Sequence, residues 1–219
     1  MADEGFKRKL AAILSADVIG YSRLMRDDEE ATVRDIAAHR VLISDILQQH
    51  NGRVVDSPGD NILAEFASVV DAVNCAVEIQ RDLARRNAEL SENRKMEFRI
   101  GINLGDVIEQ EGRLYGDGVN VAARLESLAP PGGICISGAV YDQVKNKIPN
   151  RIDSAGVQRV KNIPEPIRVY RVTTGFETPG SPIEGGRKDT RRQTAGWMLA
   201  LAAATLVATG WVLWVLVDD

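Results

Sequence analysis

Cysteine is scarce in this chain of 219 residues. The two that occur, Cys75 and Cys135, stand far apart, with neither a CxxC pattern nor a histidine pair near them. Cysteines of this kind are typical of small buried hydrophobic side chains in a reducing compartment. The pattern therefore argues against a disulfide scaffold and against a zinc site.

An excess of positive charge is also missing. The formal net charge is -4, which gives no electrostatic reason to expect a nucleic acid partner. The first ten residues, MADEGFKRKL, are charged and have no apolar core, so we do not expect a signal peptide there. No internal repeat is evident, and the length is sufficient for one domain with a proper core.

One long hydrophobic run is present, at residues 195–217. It contains 23 residues without a charge, and a helix of that length spans roughly 30 Å of hydrocarbon. Basic residues precede it in RKDTRR, and only two aspartates follow it. The positive-inside rule then predicts a single-pass helix in the inner (plasma) membrane, with the preceding domain in the cytoplasm. Residues 175–194, rich in Pro, Gly, Ser and Thr, are predicted to form a flexible linker.

The remaining sequence predicts one α+β domain at residues 7–174, after a short tail at 1–6. Its first half gives a buried strand, a helix, a hairpin at RVVDSPGDNILAEF, a second helix, and the strand MEFRIGINLGDVI, which bends at Gly105 and folds back. This β-α-β-β-α-β order is the ferredoxin-like arrangement, an antiparallel sheet with two helices on one face. A short helix, a strand, a further helix and extra C-terminal strands follow.

Acidic residues lie at two predicted strand ends. Asp17 ends the first strand in SADVIGYSRL, and Asp60 follows a Ser-Pro-Gly turn where the chain enters a buried strand. In the predicted topology these two strands are neighbours, so the carboxylates can face one another. They would repel each other unless a divalent cation lies between them. For Asp17 a helix cap remains the structural alternative.

Two further signals concern phosphate. Gly20 gives a tight passage into a helix whose first turn contains Ser22, where backbone N–H groups favour an anion. In YGDGVNVAARLE, Asn120 and Arg124 are four residues apart and share one face of a helix, which offers donors to a phosphoryl group. Taken singly, Asn120 could be a helix cap and Arg124 a solvated charge.

The three motifs together resemble the catalytic domain of the class III nucleotidyl cyclases, the adenylate and guanylate cyclase family. SADVIGYSRL resembles the first metal motif, PGDNILAEF the second, and GDGVNVAARLE the transition-state motif. The resemblance implies that Asp17, Asp60 and the Val18 carbonyl hold two Mg²⁺ or Mn²⁺ ions. It also implies an enzyme that converts a nucleoside triphosphate to its 3′,5′-cyclic monophosphate, a second messenger, and pyrophosphate.

The resemblance assigns roles to substrate-contacting residues as well. Asn120 would orient the ribose, and Arg124 would stabilise the charge that develops on the α-phosphate. Lys161 would contact the terminal phosphates, and the segment from Gly20 through Tyr21 to Ser22 would lie against the triphosphate. In the family the metal aspartates come from one subunit and the Asn/Arg pair from the other, so a homodimer with two sites is expected.

The base-contacting positions depart from the family pattern. Adenylate cyclases commonly have Lys and Asp where this chain has Asp56 and Arg113. Asp56 can only accept hydrogen bonds and Arg113 can only donate them, a pair that adenine, guanine, uracil and cytosine can all satisfy in part. ATP is the expected substrate because adenylate cyclases are the commonest members. GTP, and UTP or CTP as in the pyrimidine cyclases of anti-phage signalling, are the alternatives. A non-catalytic nucleotide-binding domain is the alternative of another class.

Overall fold

A computed structural model describes residues 7–160, 163 and 165–175 of the chain. The described part forms an α+β fold with strands β1 to β8 and helices α1 to α5, and a short 3₁₀ turn at Glu92–Arg94 precedes β4. The strands are β1 Lys7–Val18, β2 Gly52–Asp56, β3 Ile62–Phe66, β4 Phe98–Gln110, β5 Arg113–Tyr115, β6 Ile134–Ser137, β7 Ile152–Gln158 and β8 Ile167–Val172. The helices are α1 Tyr21–Asp27, α2 Glu29–Gln49, α3 Val69–Ala88, α4 Asp117–Leu128 and α5 Gly138–Val144.

The strands form a single sheet in the order β2-β3-β1-β4-β6-β8-β7, and β5 pairs with β4. The first four strands have the ferredoxin-like order that the sequence predicts, with β1 between the β2–β3 hairpin and β4. β4 and β6 run parallel, while the other pairs are antiparallel. The predicted fold-back after β4 is confirmed, and its turn lies at Glu111 and Gly112. The ladder between β1 and β4 continues through Gly105 to Glu109.

The two faces of the sheet carry different helices. Side chains alternate between the faces of a strand, and Leu14 and Ala16 of β1 pack in the main core with α2, α3 and α5. Ile13, which points to the opposite face, packs instead with Ala122 of α4. Of the described helices, α4 is therefore the one on the face to which the odd-numbered residues of β1 point, including Asp17.

Both long helices on the first face start at a side-chain cap. Asp28 accepts a hydrogen bond from the Ala31 backbone N–H, and Ser68 accepts one from Asp71. These acceptors satisfy amide groups that have no partner within the helix. The caps therefore fix where α2 and α3 begin.

Helix α4 approaches β4 as closely as backbone allows. A Cβ atom placed at Gly101 would lie 2.1 Å from the Glu126 backbone N and 2.2 Å from the Ala122 carbonyl O. No side chain fits at such distances, so glycine at this position permits the contact. The Asn103 amide adds a hydrogen bond of 3.1 Å to the Gly118 carbonyl. The helix is thus fixed against the sheet along most of its length.

The tail at 1–6, the predicted linker beyond Gly175 and the predicted membrane helix at 195–217 lie outside the described residues. Among the residues that are described, no helix is long and apolar enough to cross a membrane. The boundaries assigned to these segments stay predictions.

Candidate active site

Asp17 and Asp60 meet at one edge of the sheet. Asp17 is next to the last residue of β1, and Ala16 pairs with Ile62 at the start of β3, two residues after Asp60. Burial, then the charge of Asp17 and a hydrogen bond with it, raise the pKa of Asp60. The carboxylate pair predicted from the sequence is therefore formed in the structure, and the charge of Asp17 destabilises that of Asp60.

The turn that carries Asp60 is held by side chains of its own hairpin and by α2. Arg40 donates a hydrogen bond of 3.1 Å to the Ser57 carbonyl and a second, short one to the Gly59 carbonyl. The Asn61 amide donates to the Ser15 hydroxyl at 3.4 Å, which ties the hairpin to β1 just before Asp17. Arg40 also opposes the rise in the pKa of Asp60 through its charge.

Asp17 has a cationic neighbour on β4. Arg99 is its cross-strand partner, and the Arg99 Nη2 atom lies 3.3 Å from Asp17 Oδ2. The same nitrogen lies 3.1 Å from Oε1 of Glu126, a buried residue of α4. Burial raises the pKa of Glu126 to about 7; the charge of Arg99 opposes the rise, and those of Asp17 and Asp60 add to it. Two ionic contacts thus connect the carboxylate pair to α4.

The segment after Asp17 turns sharply into α1. Val18 ends β1, and Gly20 has a φ of 70°, in the left-handed region that favours glycine. Tyr21 begins α1 and packs against the main core, while Ser22 is exposed in the first turn. The predicted triphosphate-contacting residues therefore lie directly beside the carboxylate pair in the chain and at the start of a helix, as the sequence indicates.

Asn120 and Arg124 lie on the outer face of α4. Gly118, Ala122 and Glu126 face the sheet, and a helix turns about 100° per residue. Asn120 and Arg124 each lie two positions after a sheet-facing residue, a rotation of about 200°, so both are on the side of α4 opposite the sheet. Asn120 is exposed and Arg124 is half-buried. In the described part of the chain, no hydrogen bond or ion pair joins either residue to Asp17 or Asp60, so the structure does not bring the two predicted pairs together.

The two predicted base-contacting residues lie on neighbouring elements of one chain. Arg53 of β2 donates to the Gly112 carbonyl at 3.3 Å, so the turn before Arg113 reaches towards β2. Arg113 is exposed at the start of β5. Asp56 ends β2, and its Oδ1 accepts a hydrogen bond of 2.9 Å from the Ser57 amide, the turn contact expected for this residue type. No ion pair between Asp56 and Arg113 occurs among the described residues.

The donor set at the sheet edge fits a divalent cation. Two carboxylates within hydrogen-bonding range, one of them with a raised pKa, form a site that gains stability when a cation neutralises them. No cluster of three or more His, Cys, Asp or Glu residues suited to a metal occurs within the described ranges. Further ligands would have to be main-chain atoms such as the Val18 carbonyl, water or substrate phosphate, as is common for Mg²⁺. Lys161 lies outside the described residues.

Sequence analysis missed three residues near the site: Arg40, Arg99 and Glu126. Arg99 had a detectable signal, because it lies on a predicted strand beside the one that ends in Asp17. Glu126 is an acid among the sheet-facing residues of α4, which could have marked it as paired. The described hydrogen bonds of Arg40 go to backbone carbonyls of the turn, so nothing in the pattern of side chains pointed to it.

A family model for the adenylate and guanylate cyclase catalytic domain matches residues 7–173. The chain belongs to that family. Its described fold is accordingly the α+β cyclase fold, and the predicted family membership is confirmed.

The relatives fit the same assignment. The chain is 43% identical, over 171 residues, to "Putative adenylate cyclase 3" of Rhizobium meliloti; the match covers 78% of this chain but 29% of that protein. A crystal structure of an adenylate/guanylate cyclase/hydrolase from Silicibacter pomeroyi is 39% identical, with a TM-score of 0.72, covering 77% of this chain and 99% of that one. The guanylyl cyclase Cya2 is 25% identical, with a TM-score of 0.67, covering 82% and 99%. The cyclase domain therefore has similar structures named for either purine nucleotide.

Proposed function

We propose that this protein converts ATP to 3′,5′-cyclic AMP and pyrophosphate at the interface of a homodimer. The convergence of Asp17 and Asp60 at one sheet edge, in a chain of the cyclase family, is the observation that carries the proposal. ATP is favoured because the relative at 43% identity is named a putative adenylate cyclase. The chain spans 29% of the length of that relative, so activity and substrate are stated here as proposals.

Asp17 and Asp60 would hold Mg²⁺ or Mn²⁺, two ions per site, together with the Val18 carbonyl. Bound there, divalent cations neutralise triphosphate charge and lower the pKa of the ribose 3′-hydroxyl. The carboxylates fix the position of the triphosphate relative to β1 and the hairpin. The Gly20–Ser22 segment follows Asp17 directly, so its backbone amides are available to the phosphate oxygens.

Asn120 would orient the ribose so that its 3′-oxygen is in line with the α-phosphorus. A bond forms between those two atoms, the bond from the α-phosphorus to the bridging oxygen breaks, and pyrophosphate leaves. The 3′-hydroxyl proton passes to solvent. Arg124 would stabilise the charge on the α-phosphate as it develops, and Lys161 would bind the terminal phosphates.

The outward direction of Asn120 and Arg124 supports a shared site. Both residues face away from the sheet that carries Asp17 and Asp60 in their own chain, and a two-fold dimer would direct them to the partner's carboxylates. Each dimer would then contain two equivalent sites. The predicted helix at 195–217 would place the protein in the inner membrane and raise the local concentration of partners.

Base selection is assigned to Asp56 and Arg113. With ATP, the Asp56 carboxylate would accept a hydrogen bond from the adenine amino group, and Arg113 would donate to a ring nitrogen. Guanine offers two donors to the acid and its O6 to Arg113. The pair therefore favours no base by hydrogen-bonding capacity alone, and the assignment to ATP rests on the relatives.

The test uses the full chain in mild detergent with Mn²⁺ and each of ATP, GTP, CTP and UTP in separate reactions. Mass spectrometry identifies the products, and Asp17→Ala is the matched inactive control. Cyclic AMP from the wild type and none from the variant is the expected result. A cyclic product from another nucleotide would replace ATP in the proposal. Absence of any product from a dimer that binds Mn²⁺ would favour a non-catalytic nucleotide-binding domain instead.

A further inference from the structure

Arg99 is shared between two carboxylates that belong to different parts of the fold. Its Nη2 atom contacts Asp17 on β1 at 3.3 Å and Glu126 on α4 at 3.1 Å. One guanidinium nitrogen therefore serves both a proposed metal ligand and an acid that has no part in the proposed chemistry.

The two halves of this arrangement differ in their access to water. The Asp17 side chain is 26% exposed, whereas that of Glu126 is 7% exposed. The 3.3 Å contact to Asp17 is a long hydrogen bond, whereas the 3.1 Å contact to Glu126 is an ion pair without a hydrogen bond. The ion pair with Glu126 is the shorter and more buried of the two contacts, and the hydrogen bond to Asp17 is the one that water and ions can reach.

The pair also has unused hydrogen-bonding capacity. Arg99 Nε and Glu126 Oε1 are both buried without a hydrogen-bond partner among the described residues. A small movement of the guanidinium away from Asp17 would bring the Arg99 Nε donor towards Glu126. The cost of leaving buried polar atoms without partners favours such a movement once Asp17 is occupied.

A cation at the carboxylate pair and the Arg99 guanidinium compete for the same oxygen atoms. The acids that face this region are Asp17, Asp60 and Glu126, and the cations are Arg99 and, on the hairpin side, Arg40. A divalent ion at Asp17 repels Arg99, and Glu126 is the acid placed to take up its charge. Without the Glu126 charge, Asp17 would be the one remaining ionic partner of Arg99 among the described residues, and Arg99 would hold it more firmly.

We propose that Arg99 competes with divalent cation for Asp17, and that Glu126 lowers this competition by acting as an alternative counter-ion for Arg99. Arg99 and Glu126 are positioning residues, since neither contacts substrate in the proposed site. The inference rests on the proposed use of Asp17 and Asp60 as metal ligands. The Arg99–Glu126 pair, which the sequence did not reveal, would thus help to set the metal affinity of the site.

The test measures Mn²⁺ binding directly, by electron paramagnetic resonance of free Mn²⁺ titrated with the full chain in mild detergent at about pH 8, above the pKa of about 7 of Glu126, so that this side chain is charged. Asp60→Ala gives the blank for Mn²⁺ bound elsewhere. Glu126→Gln, which keeps the shape of the side chain, is expected to weaken Mn²⁺ binding by roughly tenfold, the effect of about one lost interaction with a partly buried charge. The double variant Arg99→Gln/Glu126→Gln is expected to restore the wild-type affinity or exceed it.

Restoration in the double variant is the decisive result, because a merely structural pair would not regain metal affinity when both members are removed. Asp35→Asn, which removes the acid from the surface pair with Arg94, is the matched control and is expected to leave Mn²⁺ affinity unchanged. Unchanged affinity in a folded Glu126→Gln protein overturns the inference, and so does a double variant that binds as weakly as the single one.

Failure of the inference and failure of the proposed function give different results. A wild type that binds Mn²⁺ in an Asp60-dependent way and forms cyclic nucleotide, with Glu126→Gln unchanged in affinity, contradicts the inference alone. A folded wild type without Asp60-dependent Mn²⁺ binding contradicts the proposed metal site, and the inference with it. Thermal unfolding of each variant with EDTA identifies the folded ones, and Arg99→Lys, which retains the charge, is expected to keep wild-type affinity within about threefold.

Discussion

A heterodimer made from two inactive chains tests whether the site is shared between subunits. The first chain carries Asp17→Ala and the second Arg124→Ala. Homodimers of either are expected to be inactive or nearly so: the first lacks a metal ligand at both sites, and the second is expected to lose about a hundredfold in rate, as for other transition-state donors. Neither change should unfold the domain, because Asp17 is partly exposed and Arg124 lies on the outer face of α4.

The expected activity of the heterodimer follows from the two-fold symmetry of the proposed dimer. One site combines Asp17 of the second chain with Arg124 of the first and is intact, while the other site carries both defects. The heterodimer should therefore have about half the activity of the wild-type dimer. Placing both residues within one subunit would instead leave a defect in each site and no recovery.

The assay needs two differently tagged chains that are co-expressed and purified through both tags in sequence. Product formation from ATP and Mn²⁺ is then measured per dimer. The matched control pairs Asp17→Ala with a chain that carries both substitutions, a combination in which no site is intact. A heterodimer as inactive as its parents would refute the argument from the outward direction of Asn120 and Arg124.

Three further predictions concern stability and the support of the site. Gly101→Ala is expected to lower the free energy of unfolding in urea by at least about 3 kcal/mol, because the added Cβ would overlap α4. The control Gly132→Ala has open space around it and should cost about 1 kcal/mol because of its positive φ. Equal losses in the two variants would contradict the close packing of α4 on β4. Arg40→Ala should free the Ser57–Gly59 turn and weaken Mn²⁺ binding by roughly tenfold in the same titration. The control Arg34→Ala, which changes an exposed residue of the same helix, should leave Mn²⁺ affinity unchanged. Burial raises the pKa of Glu126 from 4.5 to about 7, so the folded state binds this proton more tightly than the unfolded state does. In EDTA, protonated Glu126 should therefore contribute on the order of 3 kcal/mol to the free energy of unfolding. This contribution should be complete below pH 4.5 and lost as pH rises through about 7. A Glu126→Gln protein whose urea unfolding has the same pH profile as the wild type would disprove this.

The strands and helices were largely predictable because their signals are local. The apolar run before Asp17, the Ser-Pro-Gly turn and the helix periodicities each depend on residues close together in the chain. The order of the first four strands was predictable as well, since few topologies accommodate β-α-β-β-α-β. The position of the turn after β4 was not predictable, because Gly105 suggested a bend, whereas β4 pairs with β1 as far as Glu109 and ends at Gln110.

The proposed site shows the same division. The neighbouring positions of Asp17 and Asp60 followed from adjacent strands, and the structure confirms that the two residues meet. Arg99 and Glu126 were missed because their contacts join β1, β4 and α4, which are far apart in the chain. Only packing decides whether an arginine on a strand contacts solvent or a particular acid.

The family, the α+β class and the residues of the proposed chemistry can be read from the sequence alone, because motifs and periodicity depend on residues close together in the chain. Which side of α4 faces the sheet depends instead on packing in the folded domain, through the backbone contact that Gly101 permits. That contact turns Asn120 and Arg124 outward and directs Glu126 to Arg99. Orientation of a helix depends on packing against residues distant in the chain, and for that reason it was decided only in the folded protein.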